Sequence, residues 1–336
     1  MSTIKEVARR SGVSVGTVSN VLGDRVPVSS RLRDRVLGVI RQLDYHPNHI
    51  ARSLKIRQTK TIGIVVSDIT NPFYTQLVRG AEDAAWRVNY LLIILNSGEQ
   101  SDRERLVLAA LRERRVDGIL LVAVTAGDPA HIRAAQDAGT PLVCVDRQIP
   151  GMALDCVVVN NARGAKECVG HLLAVGHRRI GMLNADLCLP MARERYAGYR
   201  QALRHAAVAY DPTIVAHLGP RLEDGYRGAR EVLTSDPRPT AIFTFNSMVA
   251  MGLLRALREL GLGCPRDVAV ATFDDSIFHQ ALLPPLTSVA PPAYELGRRA
   301  VELLLKRIEQ PHRKRTRVVL HTELMVREST AGASSL

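Results

Sequence analysis

The spacing of apolar residues changes character once along the chain. In the first 45 residues they recur every three or four positions in short bursts: Ile4, Val7 and Ala8; Val18, Val21 and Leu22; Leu32, Val36, Val39, Ile40 and Leu43. That is the period of amphipathic helices. Thr3-Ile4-Lys5-Glu6 reads as a capping box opening the first helix. Gly12-Val13-Ser14 reads as a tight turn, with Ser14 capping a second helix over 15–22 that Gly23-Asp24 ends. Ser29 or Ser30 is placed to cap a third. Three short helices with a glycine-containing turn between the first two predict a helix-turn-helix module.

From Thr61 onward the rhythm is different. Short β-rich apolar runs, such as 61–66 and 90–96 (YLLIILN), alternate with longer stretches of helical period, such as 72–88 and 101–115. Ser101-Asp102-Arg103-Glu104 reads as a second capping box, and a later helix is expected to open at Arg195. Such alternation predicts right-handed βαβ units and parallel sheets covered on both faces. Two such runs predict two lobes. The expected fold is a small all-α helix-turn-helix head followed by an α/β body of two doubly wound parallel-sheet lobes.

Composition and charge narrow the function. The chain has 336 residues, 46% hydrophobic and 23% charged, ordinary for a packed protein and against global disorder. Its N-terminus carries no apolar signal core, and no apolar run approaches the ~18 residues of a spanning helix. No membrane partner is therefore expected. The five cysteines form no CxxC pair, so neither a disulfide scaffold nor a zinc site is expected, and buried thiols suit a cytoplasmic protein. Residues 1–60 hold twelve Lys/Arg against four acids, so +8 of the total +12 sits in that short head. A basic module on a nearly balanced body suits a polyanion.

In helix-turn-helix geometry the second helix enters the major groove. Its candidate DNA-side residues are Ser14, Val15, Gly16, Thr17, Ser19 and Asn20. Asn20 suits an adenine edge and Val15 a thymine methyl. Ser14, Thr17 and Ser19 suit phosphates. Gly16 brings no side chain, which fits close backbone approach. The segment Tyr45-His46-Pro47-Asn48-His49-Ile50-Ala51-Arg52-Ser53-Leu54-Lys55 reads as a helix too short to stand alone in water, ordering on a partner. Asn48 joins the DNA side, and Leu54, an apolar residue between Arg52 and Lys55, suits a minor-groove wedge.

In the body, ligands of open α/β sheets sit beyond the carboxyl ends of strands. That rule selects Asn71 and Phe73 with Ser67, Asp68 and Tyr74, then Asp146 and Arg147, Asn246 and Ser247, and Asp274 and Asp275, with Arg195 near the strand ending at Asn184. Asn, Asp and Arg beside an aromatic wall suit a polyhydroxylated ligand. Several of these residues have a simpler use as helix caps, Asn71 and Ser247 above all.

The run VARRSGVSVGTVSNVL, then LDYHPNHIARSL, then TKTIGIVVSDITNPFY resembles the lactose/galactose repressor family of bacterial transcription regulators. GHRRIG, ERYAGYRQAL, PTAIFTFN, FDDS, PPLTSV and LMVREST continue the family order to the C-terminus. The resemblance implies that Leu54 is the intercalating leucine of a hinge helix, with Ala51 and Lys55 along the minor groove. It implies a body like periplasmic sugar-binding proteins, with a small effector between two lobes. Arg195 and Asp274 match facing effector residues, Asn246 a ligand-side asparagine, and Phe73, Asp146 and Arg147 first-lobe cleft residues. Leu189, Met191, Ser247, Asn160 and Pro291 depart from the family pattern, which bears on effector identity rather than fold.

The implied domains are 1–46 for the DNA-binding head, 47–60 for hinge and linker, and 61–330 for the effector and dimerisation body. Lobe one is expected at about 61–160 plus 291–325 and lobe two at about 161–290. The expected function is a repressor acting as a homodimer, with a tetramer as the alternative, on a near-palindromic double-stranded operator. Its expected effector is a monosaccharide or related polyol, with a purine or nucleoside second. No cofactor is expected. An enzyme is disfavoured because GxxxxGK[ST] and GxGxxG are both missing.

Overall fold

The computed structural model describes residues 3–23, 27–45, 58–124 and 128–331. The chain divides into two compact units, Met1–Thr59 and Lys60–Leu336. In the head, α1 (Ile4–Ser11) starts where the Thr3 hydroxyl accepts from the Glu6 backbone N–H at 3.3 Å. The expected capping box closes in this direction only. The Glu6 carboxylate is instead held by Arg9 and Arg10 at 2.6 and 2.9 Å, and the bonds from Arg9 first and Arg10 second lower its pKa to about 2. Gly12, at φ 63°, ends α1 in the left-handed region, which glycine enters without the steric cost of a Cβ. Ser14 Oγ accepts from Thr17 N–H at 3.1 Å to start α2 (Val15–Gly23), and Ser29 is the N-cap of α3 (Ser30–Gln42) without a side-chain bond. Val7, Val18 and Val36 are fully buried at the centre, with Tyr45 packed on them. Each such side chain contributes about 1.5–3 kcal/mol by burial.

The body has two six-stranded sheets. In chain order its elements are β1 (Thr61–Val66), α4 (Pro72–Trp86), β2 (Leu91–Asn96), α5 (Ser101–Glu113), β3 (Gly118–Leu121), α6 (Ala130–Asp137), β4 (Leu142–Val145), β5 (Asp155–Val159), α7 (Asn161–Ala174), β6 (Ile180–Ala185), α8 (Pro190–His205), β7 (Val215–Leu218), α9 (Leu222–Leu233), β8 (Ala241–Thr244), α10 (Ser247–Glu259), β9 (Ala269–Phe273), β10 (Thr287–Ala290), α11 (Ala293–Glu309), β11 (Arg317–Leu320) and β12 (Glu323–Met325). The first sheet runs β11-β5-β4-β3-β1-β2, parallel throughout. The second runs β12-β10-β9-β8-β6-β7, parallel except for the antiparallel pair β10–β12.

Two expectations change here. Lobe one does not extend to 325: β11 closes the first sheet, but β12 returns to the second, so residues 323–325 belong to lobe two. An antiparallel edge strand needs no crossover helix, and three residues suffice for it. The N-cap of α5 is Gln100, not Ser101, because the Glu104 carboxylate is drawn inward to Val124 N–H (2.6 Å) and His131 (2.7 Å) rather than back to the helix start.

Both faces of both sheets are covered, giving four apolar clusters. Helices α4 and α11 meet at backbone distance: a Cβ added at Gly297 would lie 1.9 Å from the Leu77 carbonyl oxygen, and one at Gly80 1.9 Å from that of Tyr294. Among the described residues no helix is long and apolar enough to cross a membrane.

Candidate functional site

The carboxyl ends of the two sheets face one another across a cleft with about 540 Å³ of space between protein atoms, its open mouth included. All seven sequence-selected residues, Asn71, Phe73, Asp146, Arg147, Arg195, Asn246 and Asp274, line it. Asn71 carries a second duty as a helix cap, as the capping alternative foresaw, but at α10 the cap is Asn246 and not the expected Ser247, which is the first helical residue. Asn71 Oδ1 accepts from Phe73 N–H at 3.0 Å to cap α4, and Asn246 Oδ1 accepts from Val249 N–H at 2.9 Å to cap α10. Asn246 Nδ2 also donates to the Pro220 carbonyl at 3.0 Å, so its polar atoms are engaged within the protein. Arg195 does not open its helix: α8 begins at Pro190, because a proline fits the first turn, and Arg195 lies in its second turn.

The first-lobe wall is a connected network. Arg147 donates to both oxygens of Glu99 at 2.7 and 2.5 Å, to the Ala123 carbonyl at 3.1 Å, to the Tyr74 hydroxyl at 3.2 Å and to Ser67 Oγ at 3.4 Å. Tyr74 in turn donates to Asp146 Oδ2 at 3.2 Å. The second-lobe wall is looser. Arg195 donates to Asn161 Oδ1 at 2.9 Å and the Phe245 carbonyl at 2.5 Å, and its guanidinium lies 3.7 Å from the Phe273 ring centre and 4.6 Å from that of Phe245. Asp274 Oδ1 stands 3.7 Å from Arg195 Nη2, beyond a hydrogen bond. Asp274 Oδ1, Asp146 Oδ1 and Arg147 Nε are buried without a hydrogen-bond partner.

Burial sets the electrostatics. It pushes Asp274 up to about 6 against the pull of Arg195, and raises Asp146 against the pull of Arg147 and Arg195. It lowers Arg195, with Asp274 and Asp146 opposing. Burial would raise Glu99 too, but its pair with Arg147 outweighs this and holds the carboxyl below the usual range. Buried groups left short of partners are costly until something supplies them.

Strand-end reasoning also named Ser247 and Asp275, and neither lines the cleft. Ser247 Oγ donates to the Asp274 carbonyl at 3.2 Å. Asp275 turns away to Arg327 at 2.8 Å and Ser288 Oγ at 2.6 Å. Glu99, Pro220, Arg221 and Met248 line the cleft without having been selected. Met191, noted only as a departure from the family pattern, also lines it, whereas Leu189 is buried outside it. Asn161, behind the wall, orients Arg195.

On the head, Ser14, Val15, Gly16 and Ser19 are exposed along one side of α2 and its entry, with Thr17 and Asn20 partly buried beside them. Ser14 and Thr17 hydroxyls are 2.9 Å apart, so each is partly engaged with the other. A Cβ on Gly16 would meet only Ser14 Oγ at 3.5 Å, so packing within the head does not demand glycine there. Asn48, Ala51, Leu54 and Lys55 lie outside the described residues.

Residues 3–48 match the lacI family of bacterial regulatory proteins, and residues 169–330 match the periplasmic binding protein-like domain. A ribose operon repressor of Haemophilus influenzae is 35% identical over 329 residues, 98% of each chain. A LacI family transcriptional regulator of Enterococcus faecium with bound ribose aligns at TM-score 0.73 and 31% identity, covering 81% of this chain and 98% of that one. The lac repressor dimer bound to operator and the anti-inducer ONPF aligns at TM-score 0.86 and 26% identity, covering 98% and 99%. With a DNA-reading head, a two-lobed binding body and a relative of this identity along almost its whole length, the chain belongs to the LacI/GalR family of bacterial transcription regulators and is not an enzyme.

Proposed function

We propose that this protein is a cytoplasmic repressor that binds a near-palindromic operator as a homodimer and is controlled by a neutral monosaccharide, a ribose-like pentose first. The observation that carries the effector class is the pair of buried aspartates, Asp146 and Asp274, one from each lobe, each with an oxygen lacking a hydrogen-bond partner. Vicinal hydroxyls donate to such oxygens and accept from guanidinium N–H groups at once. The cleft lining holds four carboxylates (Asp68, Glu99, Asp146, Asp274) against three guanidiniums (Arg147, Arg195, Arg221), a balance that favours a neutral ligand over an anion. Phe73 supplies the flat apolar wall. The ribose repressor and the ribose-bound regulator among the relatives point the same way.

In this reading Val15, Gly16 and Asn20 meet base edges while Ser14, Thr17 and Ser19 meet phosphates. Asn48, Ala51, Leu54 and Lys55 order in the minor groove, where Leu54 parts a base step. Effector binding draws the two cleft walls together and changes how the paired hinges fit DNA. Calorimetry of the full-length protein with ribose, other neutral pentoses and hexoses, ribose 5-phosphate, and purines tests the effector class. Saturable binding of a neutral sugar, weakened in Asp274→Asn, is expected. Binding of a purine or of the phosphorylated sugar alone would contradict it.

A further inference from the structure

The first sheet is electrically polarised along its strands. All six strands are parallel, so the loops preceding them form one rim and the loops following them form the cleft rim. Lys60 precedes β1, Arg87 precedes β2, Arg114-Arg115 precede β3, and Arg313-Lys314-Arg315 precede β11. Against these seven cations the same loops carry one acid, Asp117. The cleft rim has the opposite balance: Asp68, Glu99, Asp128 and Asp146 against Arg147. Strands of four to six residues separate the two rims by about 13–20 Å. The basic side chains face water: Arg87, Arg114, Arg115, Lys314 and Arg315 are exposed, and Arg87, Lys314 and Arg315 form no ion pair among the described residues.

A sheet needs no such charge for its own stability, and like charges along one rim repel. We infer that this rim is a second DNA-contact surface, which binds the phosphate backbone of duplex flanking the operator. The inference rests on the DNA-binding reading of the head. The rim is also where the chain arrives from that head, since Lys60 leads directly into β1. The thirteen residue steps from Tyr45 to Gln58 span at most about 45 Å, little more than one turn of B-DNA (~34 Å). DNA held by the head is therefore held at high effective concentration near the rim. Lysine and arginine without base-reading partners suit sequence-independent, salt-sensitive phosphate contact.

The test uses the full-length protein, its selected operator, and two duplexes. One ends at the operator edges; the other extends about two helical turns (~21 bp) beyond each edge. Wild type is expected to bind the extended duplex more tightly and with a steeper salt dependence. Arg114→Glu/Lys314→Glu/Arg315→Glu is expected to lose tenfold or more on the extended duplex only. Its salt slope should fall by about one per phosphate contact removed. Affinity for the short duplex, selected sequence, thermal midpoint and effector binding are expected to stay unchanged, which shows the fold intact. Equal loss on both duplexes, or no loss on either, overturns the rim inference while leaving operator recognition standing. A wild type without any sequence preference overturns both.

Discussion

β4 and β9 hold the same place in their sheets, third from the edge strands β11 and β12, and each is followed by an aspartate in the left-handed region, Asp146 at φ 66° and Asp274 at φ 65°. Asp tolerates that conformation better than most residues, at a modest cost. The matching backbones carry opposite arrangements. Beside Asp146, Arg147 is held fast: a bidentate pair with Glu99 and three further acceptors fix it, leaving only Nε without a hydrogen-bond partner, and Tyr74, Glu99 and Asp146 together outweigh burial to hold its proton more firmly than usual. Beside Asp274, Arg195 comes from a helix, lies over Phe273, and leaves the carboxylate unbonded. Lobe one thus presents a largely preassembled wall, in which Asp146 Oδ1 and Arg147 Nε stay open on groups otherwise held, and lobe two a wall whose aspartate makes no side-chain hydrogen bond among the described residues. The difference teaches where a ligand supplies the most energy: at Asp274 and Arg195.

The strongest way to break this comparison is Arg195→Ala. It should weaken effector binding by at least ~100-fold, about 3 kcal/mol, because a charged donor is lost and Asp274 is left buried and unpaired. Operator binding without effector should survive, and a normal dose response would remove Arg195 from the site. Glu99→Gln should cost less, roughly tenfold in effector affinity or about 1.4 kcal/mol. It loosens Arg147 without touching the lobe-two wall, and calorimetry beside Arg195→Ala checks the order. Equal losses in the two variants would erase the distinction between the lobes.

The smallest and sharpest test is pH. Hydroxyl donors favour ionised Asp274, so effector affinity should be full above about pH 6 and fall as pH drops through that value. Asp274→Asn should flatten this profile. The unliganded protein has the opposite sign. Its folded state holds the Asp274 proton more tightly than the unfolded chain does. This carboxyl's contribution to stability therefore declines from the ordinary carboxylate range up to about pH 6 and is flat above it. An affinity profile unchanged between pH 5 and 7, a range spanning that value, would place the titrating group elsewhere.

Alternation of strands and helices was legible because the parallel strands of each core are buried on both faces and read as apolar runs, as in β1 (TIGIVV). β7 (VAHL) and β12 (ELM) were not, being short and only partly buried with no apolar run to mark them. The omission passed on to the site. Pro220 and Arg221 lie just beyond β7, so a rule that looks past strand ends had no strand from which to find them. Glu99 did have a signal, standing three residues beyond β2, but its value lies in Arg147, a partner 48 residues away. The choice between ligand contact and helix cap at Asn71 and Asn246 was not legible either. Both roles ask for the same amide at the same strand end, and only geometry shows the caps being made.

The central claim is that occupancy of the cleft governs operator binding, and linkage gives its most direct measurement. Operator affinity of the full-length protein is titrated with and without saturating effector sugar, and sugar affinity with and without operator. The account predicts that both change, and by the same factor. Operator affinity that is identical in the presence and absence of a sugar bound in the cleft would contradict it.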